Sequence, residues 1–274
     1  HINVGQIQTL HTPSPRRVHA PCPVVTACGG CPWQTAALDL QREQRAQEVA
    51  TLLDPLCDAD TRRHGWIDAN DEAVGYRTRA LMVLRHRGGT IRMGFYAPGT
   101  QELVPAEPCV VQDPLVNAVL QRAHAILKRH DWPTWRGADR RGVLRGVLYR
   151  VDPNVGEGLL TLVLSVEPGD KVRAAVQELI RIEGVSGVHA NIHTRDGGPM
   201  LGERTVHLRG KRRQAITLGD LTLHVGPTAF VQTRHSVGEA MVRTVGEWLG
   251  GAERKLEHLV DLYAGVGVFG LAHR

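Results

Sequence analysis

The spacing of apolar residues changes several times along the chain and predicts both helices and strands. Apolar side chains at helical spacing among Gln, Arg and Glu indicate helices over 35–53, 113–130 and 171–182. Between these helices, alternating apolar runs separated by Gly-Gly and Pro-Gly turns indicate strands in RTRALMVLRHRG, TIRMGFYAPG, QELVPAEPC, VLRGVLYRV, LLTLVLSVE, GVSGVHANIH and LTLHVG. Helices and strands mixed in this way predict an α+β middle domain over about 70–225.

The two ends of the chain have different patterns from the middle. At the start, Val4, Ile7 and Leu10 indicate the last strand of another domain, which a TPSPRR linker follows. Near the end, PTAFVQTRHSVGEAMVRTVGEWLGG has helical spacing, and HLVDLYAGVGVFGLAHR indicates an apolar strand, a glycine turn and the start of a helix. A strand, turn and helix in that order open a doubly wound sheet. The predicted fold class is therefore α/β at the end of the chain and α+β in its centre.

Length and charge narrow the classes of partner. A chain of 274 residues favours about two domains. Its 33 Lys and Arg exceed its 28 Asp and Glu, and only four of the cations are Lys. This excess of Arg favours polyanionic partners such as nucleic acid. The longest mostly apolar run, 259–272, is about 14 residues, whereas a membrane span needs roughly 20, so we expect no membrane span.

Three of the five cysteines, Cys22, Cys28 and Cys31, lie within ten residues, and Cys109 lies in the later segment VPAEPC. Thiolates separated by two residues, as in Cys28 and Cys31, can turn toward one ion or cluster, and Gly29 and Gly30 let backbone N–H groups approach the sulfurs. Four cysteines suit a tetrahedral zinc or a [4Fe–4S] cubane equally well in number. The alternative is a set of unrelated buried thiols.

The second candidate site is the glycine turn after the predicted C-terminal strand. Its GVGVFG sequence formally matches the dinucleotide fingerprint G-x-G-x-x-G, which is weak on its own. The acid Asp261, four residues before Gly265, favours instead the S-adenosylmethionine (SAM) turn of class I methyltransferases, where a strand-end acid helps to hold the cationic methionyl end. A purely structural glycine turn is the third possibility.

The third candidate is a basic surface on the first strand of the middle domain. Arg77, Arg79, Arg85 and Arg87 have the same parity, so on a strand they would share one face of the sheet. We hypothesise that this face contacts nucleic-acid phosphates. A solvated charged face is the alternative.

In order along the chain, these segments resemble the bacterial uracil-5 RNA methyltransferase family, which makes 5-methyluridine in 23S rRNA and tRNA. The resemblance covers nearly the whole chain. PSPRRVHAPCP is similar to the junction after the family's N-terminal RNA-binding β-barrel, CGGCPWQ to its iron–sulfur motif, and YRTRALMVL and VPAEPC to its central domain. The beginning of the family's SAM-binding, Rossmann-like domain is similar to GPTAFVQTRHSVGEAMVRTVGEWL and VDLYAGVGVFGLA.

The resemblance implies two cofactors, SAM and a [4Fe–4S] cluster. The four cluster ligands would be Cys22, Cys28, Cys31 and Cys109, with Cys57 a free thiol. The residues at the family's SAM-binding positions are Gln232, Asp261, Tyr263, Gly265, Gly267 and Val268. Val268 stands where many members have Asn or Thr, and Ala264 where many have Cys.

The resemblance also implies a division of the chain and a function. The expected parts are 1–20 (barrel strand and linker), 21–70 (iron–sulfur loop and helix), 71–225 (central RNA-binding domain) and 226–274 (start of the methyltransferase domain). We expect a monomeric cytoplasmic RNA methyltransferase acting on uracil C5, with 23S rRNA the first candidate substrate and tRNA the second. No catalytic residue is assigned within the chain, because the family's nucleophilic Cys and base lie beyond this segment, so we expect the chain alone to be inactive. The alternatives are an iron–sulfur RNA-binding module without catalysis and an NAD-dependent oxidoreductase.

Overall fold

A computed structural model describes residues 9–58, 73–137, 139–250 and 257–273. The chain forms two compact units, 1–66 and 67–274. The expected barrel strand falls mainly on residues 1–8, which lie outside the described residues. The four-part division of the chain stays a prediction.

In the first unit, one long helix carries ion pairs to the segment that precedes it. The elements are α1 (Val25–Cys28), α2 (Leu38–Leu53) and a 3-10 helix (Asp54–Leu56). The Arg16 guanidinium contacts the carboxylates of Asp39 and Glu43 at 3.0 and 2.6 Å. None of the residues of α2 is fully buried, which confirms the predicted surface helix.

The second unit is built on a seven-stranded sheet in the order β3-β2-β1-β4-β5-β6-β7. All neighbouring strands are antiparallel except β5 and β6. The strands are β1 (Arg79–Arg87), β2 (Thr90–Tyr96), β3 (Leu103–Pro105), β4 (Leu144–Asp152), β5 (Glu157–Leu164), β6 (Val185–Ile192) and β7 (Arg204–Gly210). These strands and the two helices described next confirm the predicted α+β centre.

Two helices, α3 (Pro114–His130) and α4 (Asp170–Leu179), pack on one face of this sheet. The sequence favours α3 because the Asp113 carboxylate caps it, accepting a hydrogen bond from the Leu115 N–H at 2.8 Å, and Pro114 occupies the first turn. Ala80, Met82 and Leu84 of β1 enter the core between sheet and helices, whereas Arg79 and Arg85 belong to the other face.

A hairpin and two helices complete the second unit. They are β8 (Gln214–Leu218), β9 (Leu221–Val225), α5 (His235–Trp248) and α6 (Val268–Ala272). The hairpin packs beside β4, and the Asp152 carboxylate accepts a hydrogen bond from the Thr217 N–H at 3.0 Å. A second apolar cluster forms around the hairpin and includes Val231, Val266 and Val268. None of the helices in the described part of the chain is long and apolar enough to cross a membrane.

Two predictions near the end of the chain are wrong. Residues 227–234 are not helical, and α5 begins only at His235. The expected apolar strand before the glycine turn does not form in 257–261, because a strand needs a hydrogen-bonding neighbour and neither described sheet includes this segment. Val260 and Leu262 are consequently 77% exposed.

Candidate functional site

The non-helical segment 226–234 lies against the first residues of β1 and the last residues of β4. The Thr233 carbonyl accepts hydrogen bonds from the N–H and the hydroxyl of Thr78, both at 2.9 Å. The Arg150 guanidinium donates to the carbonyls of Gly226, at 3.2 Å, and Ala229. These bonds fix the segment beside the arginines at this end of the sheet.

Three arginines that differ in how deeply they are buried lie together at this end of the sheet. Arg77 is exposed, Arg79 is half-buried and Arg150 is 2% exposed. Arg79 and Arg150 are direct cross-strand partners, an arrangement that destabilises a sheet when the charges are alike. Burial, and then the charge of Arg79, lower the pKa of Arg150 to about 9, and burial and Arg77 lower that of Arg79. An anion bound near these guanidiniums would relieve this repulsion.

Arg77, Arg79 and Arg150 form a group that we call the arginine cluster. Buried polar atoms without a hydrogen-bond partner among the described residues belong to this region. The Arg79 Nε and both polar atoms of the Gln112 side chain are buried without a hydrogen-bond partner within the described residues. Gln112 is 2% exposed, and its backbone bridges to Arg77. Buried polar groups without partners are rare in folded proteins, so their presence here is consistent with a ligand site.

The structure divides the predicted arginine face into two parts. Arg85 contacts the Tyr96 hydroxyl, donates to the Leu84 carbonyl at 2.9 Å, and lies over the Tyr96 ring at 5.4 Å. Arg87 lies 3.7 Å from a carboxylate oxygen of Glu102. Both of these side chains therefore have partners within the protein, whereas no side-chain partner of the exposed Arg77 is found among the described residues. Contact of this face with RNA stays a prediction.

The glycine turn adopts the backbone conformation for which glycine is suited. Gly265 and Gly267 have φ angles of 60° and 78°, and Gly267 precedes the first residue of α6. The Asp261 carboxylate accepts a hydrogen bond from the Gly270 N–H at 3.1 Å, so it closes the turn. Tyr263 also has a positive φ, 59°, and is fully exposed.

Apolar contacts bring the glycine turn and the segment 226–234 together. Val266 and Val268 of the turn pack on the cluster that contains Val231. Val268 therefore has a packing role in this structure. Gln232 follows Val231 and is exposed beside it. The residues predicted from sequence to contact SAM thus belong to one region, which also borders the arginine cluster.

Phe230 is a residue of this region that the sequence reasoning did not single out. It is 70% exposed, whereas the next residue, Val231, is 6% exposed. Large apolar side chains are usually buried, so an exposed aromatic ring beside Gln232 is a candidate surface for stacking. The sequence carries no signal for this exposure, because Ala229, Phe230 and Val231 are all apolar and only the packing of Ala229 and Val231 distinguishes these two from Phe230.

The cysteines predicted to bind a cluster belong to two different units. Cys22, Cys28 and Cys31 belong to the first unit, and α1 ends at Cys28 because Gly29 has a positive φ of 64°. Cys109 belongs to the second unit, where the Asn117 side chain accepts a hydrogen bond from its N–H at 2.9 Å. All five cysteines are described, and none of them is in a disulfide. Within the described residues no three His, Cys, Asp or Glu side chains are grouped as a metal site.

Comparison with curated proteins finds relatives along almost the whole chain. An uncharacterised RNA methyltransferase of Thermosynechococcus vestitus is 31% identical over 268 residues, which are 97% of this chain and 59% of that protein. A second one, from Gloeobacter violaceus, is 29% identical over 270 residues, 97% of this chain and 58% of that protein. The chain therefore spans less than three fifths of the length of these relatives. No protein-family model matches it.

Among solved structures, the chain is similar to a tRNA (uracil-54, C5)-methyltransferase of Pyrococcus abyssi that was crystallised with S-adenosyl-L-homocysteine. The TM-score is 0.71 and the sequence identity 20%, and the match covers 96% of this chain and 57% of the other. The mixed α/β fold of this chain is therefore that of a solved methyltransferase.

Proposed function

We propose that this chain belongs to an RNA methyltransferase that transfers the methyl group of SAM to uracil C5. The observation that carries the proposal is the meeting of segment 226–234, the arginine cluster and the glycine turn in one region. Basic and aromatic side chains suit an RNA substrate, and the turn suits a cationic, nucleoside-containing cofactor. The curated relatives, which are named RNA methyltransferases, support RNA methylation.

SAM fits the open glycine turn. A Cβ added to Gly265 would meet only the Tyr263 carbonyl oxygen, at 4.0 Å, so the backbone there is open to a ligand. One Asp261 oxygen binds the Gly270 N–H, and the carboxylate charge remains available to a cationic group. SAM would supply the electrophilic methyl group. The Gln232 amide would contact the cofactor from the neighbouring segment.

On the RNA side, Arg77 and Arg79 would bind phosphates and Phe230 would stack on an exposed base. Arg150 would act as a positioning residue, because its guanidinium holds the carbonyls of Gly226 and Ala229 and thereby the segment that carries Phe230. Uracil C5 is a poor nucleophile, so the full reaction needs a thiolate that adds to C6 before methyl transfer. No residue of this chain is assigned that role.

A gene-deletion experiment tests the proposal with the protein as it exists in the cell. RNA from cells lacking the gene for this chain should lose 5-methyluridine at one position, and nucleoside mass spectrometry of separated rRNA and tRNA identifies the substrate. We propose 23S rRNA. A plasmid copy should restore the modification, whereas a copy with Gln232→Ala should restore much less. Unchanged 5-methyluridine in every RNA fraction of the deletion strain would rule the function out.

The 274-residue chain by itself is expected not to methylate RNA, because the only cysteine outside the proposed cluster, Cys57, lies about 200 residues before the glycine turn in the sequence, and no base is assigned to it. Incubation with labelled SAM and unmodified rRNA measures this. Incorporation at uracil C5 above background would show that a nucleophile within the chain has been overlooked.

A [4Fe–4S] cluster on Cys22, Cys28, Cys31 and Cys109 is a separate proposal. Its support is the donor chemistry, since three thiols lie within ten residues and the backbone at Gly30 approaches the Cys28 sulfur, with a virtual Cβ 3.5 Å from it. Protein purified without oxygen should contain iron and acid-labile sulfide in equal amounts, and Cys109→Ser should lower both. Zinc without sulfide would contradict the proposal.

A further inference from the structure

A second group of cations lies at the end of β7 and in the turn to β8. Five cations fall between 204 and 213, and two of them are paired, Arg204 with Glu167 and Lys211 with Glu157 at 2.6 Å. The other three are exposed and have no carboxylate partner among the described residues. They are Arg209, Arg212 and Arg213.

The backbone of this turn is held firmly by strand β6. The Ser186 carbonyl accepts a hydrogen bond from the Lys211 N–H at 2.8 Å, and the Arg212 carbonyl contacts the His189 ring at 3.2 Å. The contact is so close that a Cβ on Gly210 would lie 2.3 Å from the Ser186 carbonyl oxygen. The three arginines are therefore presented from a fixed backbone, which lowers the entropy lost on binding.

Strand register places this turn at the same end of the sheet as the arginine cluster. Arg79 pairs with Arg150, Arg150 with Leu159, Leu159 with Gly187, and Gly187 with Gly210. These four pairings form one row across the sheet from β1 to β7. The row crosses four strand spacings of about 4.8 Å, so Gly210 lies about 19 Å from Arg79.

We infer that Arg209, Arg212 and Arg213 form a second phosphate-binding surface for the RNA that contacts Arg77 and Arg79. This inference rests on the proposed function, since RNA is the occupant. Guanidinium groups bind phosphate oxygens in a bidentate manner, and exposed cations without carboxylate partners gain most from a polyanion. The RNA footprint would then extend across the whole end of the sheet rather than over β1 alone.

The salt dependence of RNA binding tests the inference. Fluorescence anisotropy with a labelled, structured rRNA fragment gives the slope of log affinity against log salt for each variant. Each phosphate contact contributes about 0.7 to 0.9 to that slope. The triple variant Arg209→Ala, Arg212→Ala, Arg213→Ala should therefore lower the slope by about 2 to 3, and the corresponding triple Lys variant should keep it.

A matched control removes the same charge elsewhere. Lys128 near the end of α3 and Lys171 and Arg173 in the first turn of α4 are exposed cations away from this end of the sheet, and their triple Ala variant should change the slope much less. Thermal unfolding verifies that both triple variants are folded.

The outcomes distinguish a failure of this inference from a failure of the proposed function. If the unmodified chain binds no RNA, both fail. If it binds RNA and the β7–β8 variant keeps the slope, or loses no more than the control, only this inference fails. Loss of binding to phosphatidylserine vesicles with an unchanged RNA slope would replace it with a membrane surface.

Discussion

Acidification is expected to destabilise the second unit through His189, which is buried on β6 next to the edge strand β7. Its side chain is 3% exposed, Nε2 lies 3.2 Å from the Arg212 carbonyl oxygen, and Nδ1 has no hydrogen-bond partner among the described residues. Burial first, and the neighbouring His207 second, lower the pKa of His189 from 6.5 to about 4. Above about pH 4 the ring is therefore neutral in the folded state.

The sign of the effect follows from where each state binds the proton. The unfolded chain takes it up near pH 6.5, whereas the folded chain does so only near pH 4. The contribution of the neutral His189 ring to the free energy of unfolding is therefore complete above pH 6.5 and is lost as the pH falls toward 4. At about 1.4 kcal/mol per tenfold difference in proton affinity, the full loss is roughly 3 kcal/mol, and the loss at pH 5 about 2 kcal/mol.

Urea unfolding followed by tryptophan fluorescence measures this loss, because Trp132 and Trp135 are buried in the same unit. The variant His189→Gln cannot titrate and retains an amide that can donate to the Arg212 carbonyl. Between pH 7 and 5 it should lose about 2 kcal/mol less than the unmodified protein. His224→Gln, at an exposed position of β9, should not change the pH dependence. Equal losses for His189→Gln and the unmodified protein would refute the reasoning.

Two further substitutions test the fold of this unit by urea unfolding. Asp113→Ala removes the cap that binds the Leu115 N–H and should cost about 1 kcal/mol, whereas Asp113→Asn should cost much less; equal costs would disprove the capping role. In Gly158→Ala the new Cβ would lie 1.9 Å from the Arg150 carbonyl oxygen, so we expect a loss of about 2 kcal/mol or more. Gly169→Ala has open space and is the control, and similar stabilities of the two Ala variants would contradict the close approach.

The helices and buried strands of the centre could be predicted because their signals are local. Helix α3 was expected over 113–130 and spans Pro114–His130, and α4 was expected over 171–182 and spans Asp170–Leu179. In each helix one side is buried against the sheet, so apolar residues recur at the helical period. Burial on one side leaves a pattern that does not depend on distant parts of the chain.

Strands β7 and β8 could not be predicted by the same means. In the sequence, Arg204–Gly210 shows mainly positive charge, and its side chains are exposed or half-buried. As the edge strand of the described sheet, β7 carries only a short apolar alternation, Val206 and Leu208, which pack on the core amid a run of positive charge. The signal that remained was Gly210, whose positive φ of 74° ends the strand.

The candidate site shows most clearly what a single sequence leaves undetermined. Parity correctly placed Arg79 and Arg85 on one face of β1, but parity does not reveal which side chains already have partners. Strand register decides this, because it places Arg79 opposite Arg150, a like charge, while β2 supplies Tyr96 to Arg85. Register depends on pairing between distant segments, and a repulsive pair is retained only if something else compensates its cost. The carbonyls of Gly226 and Ala229 compensate Arg150 within the protein, and under the proposed function an RNA phosphate would compensate Arg79.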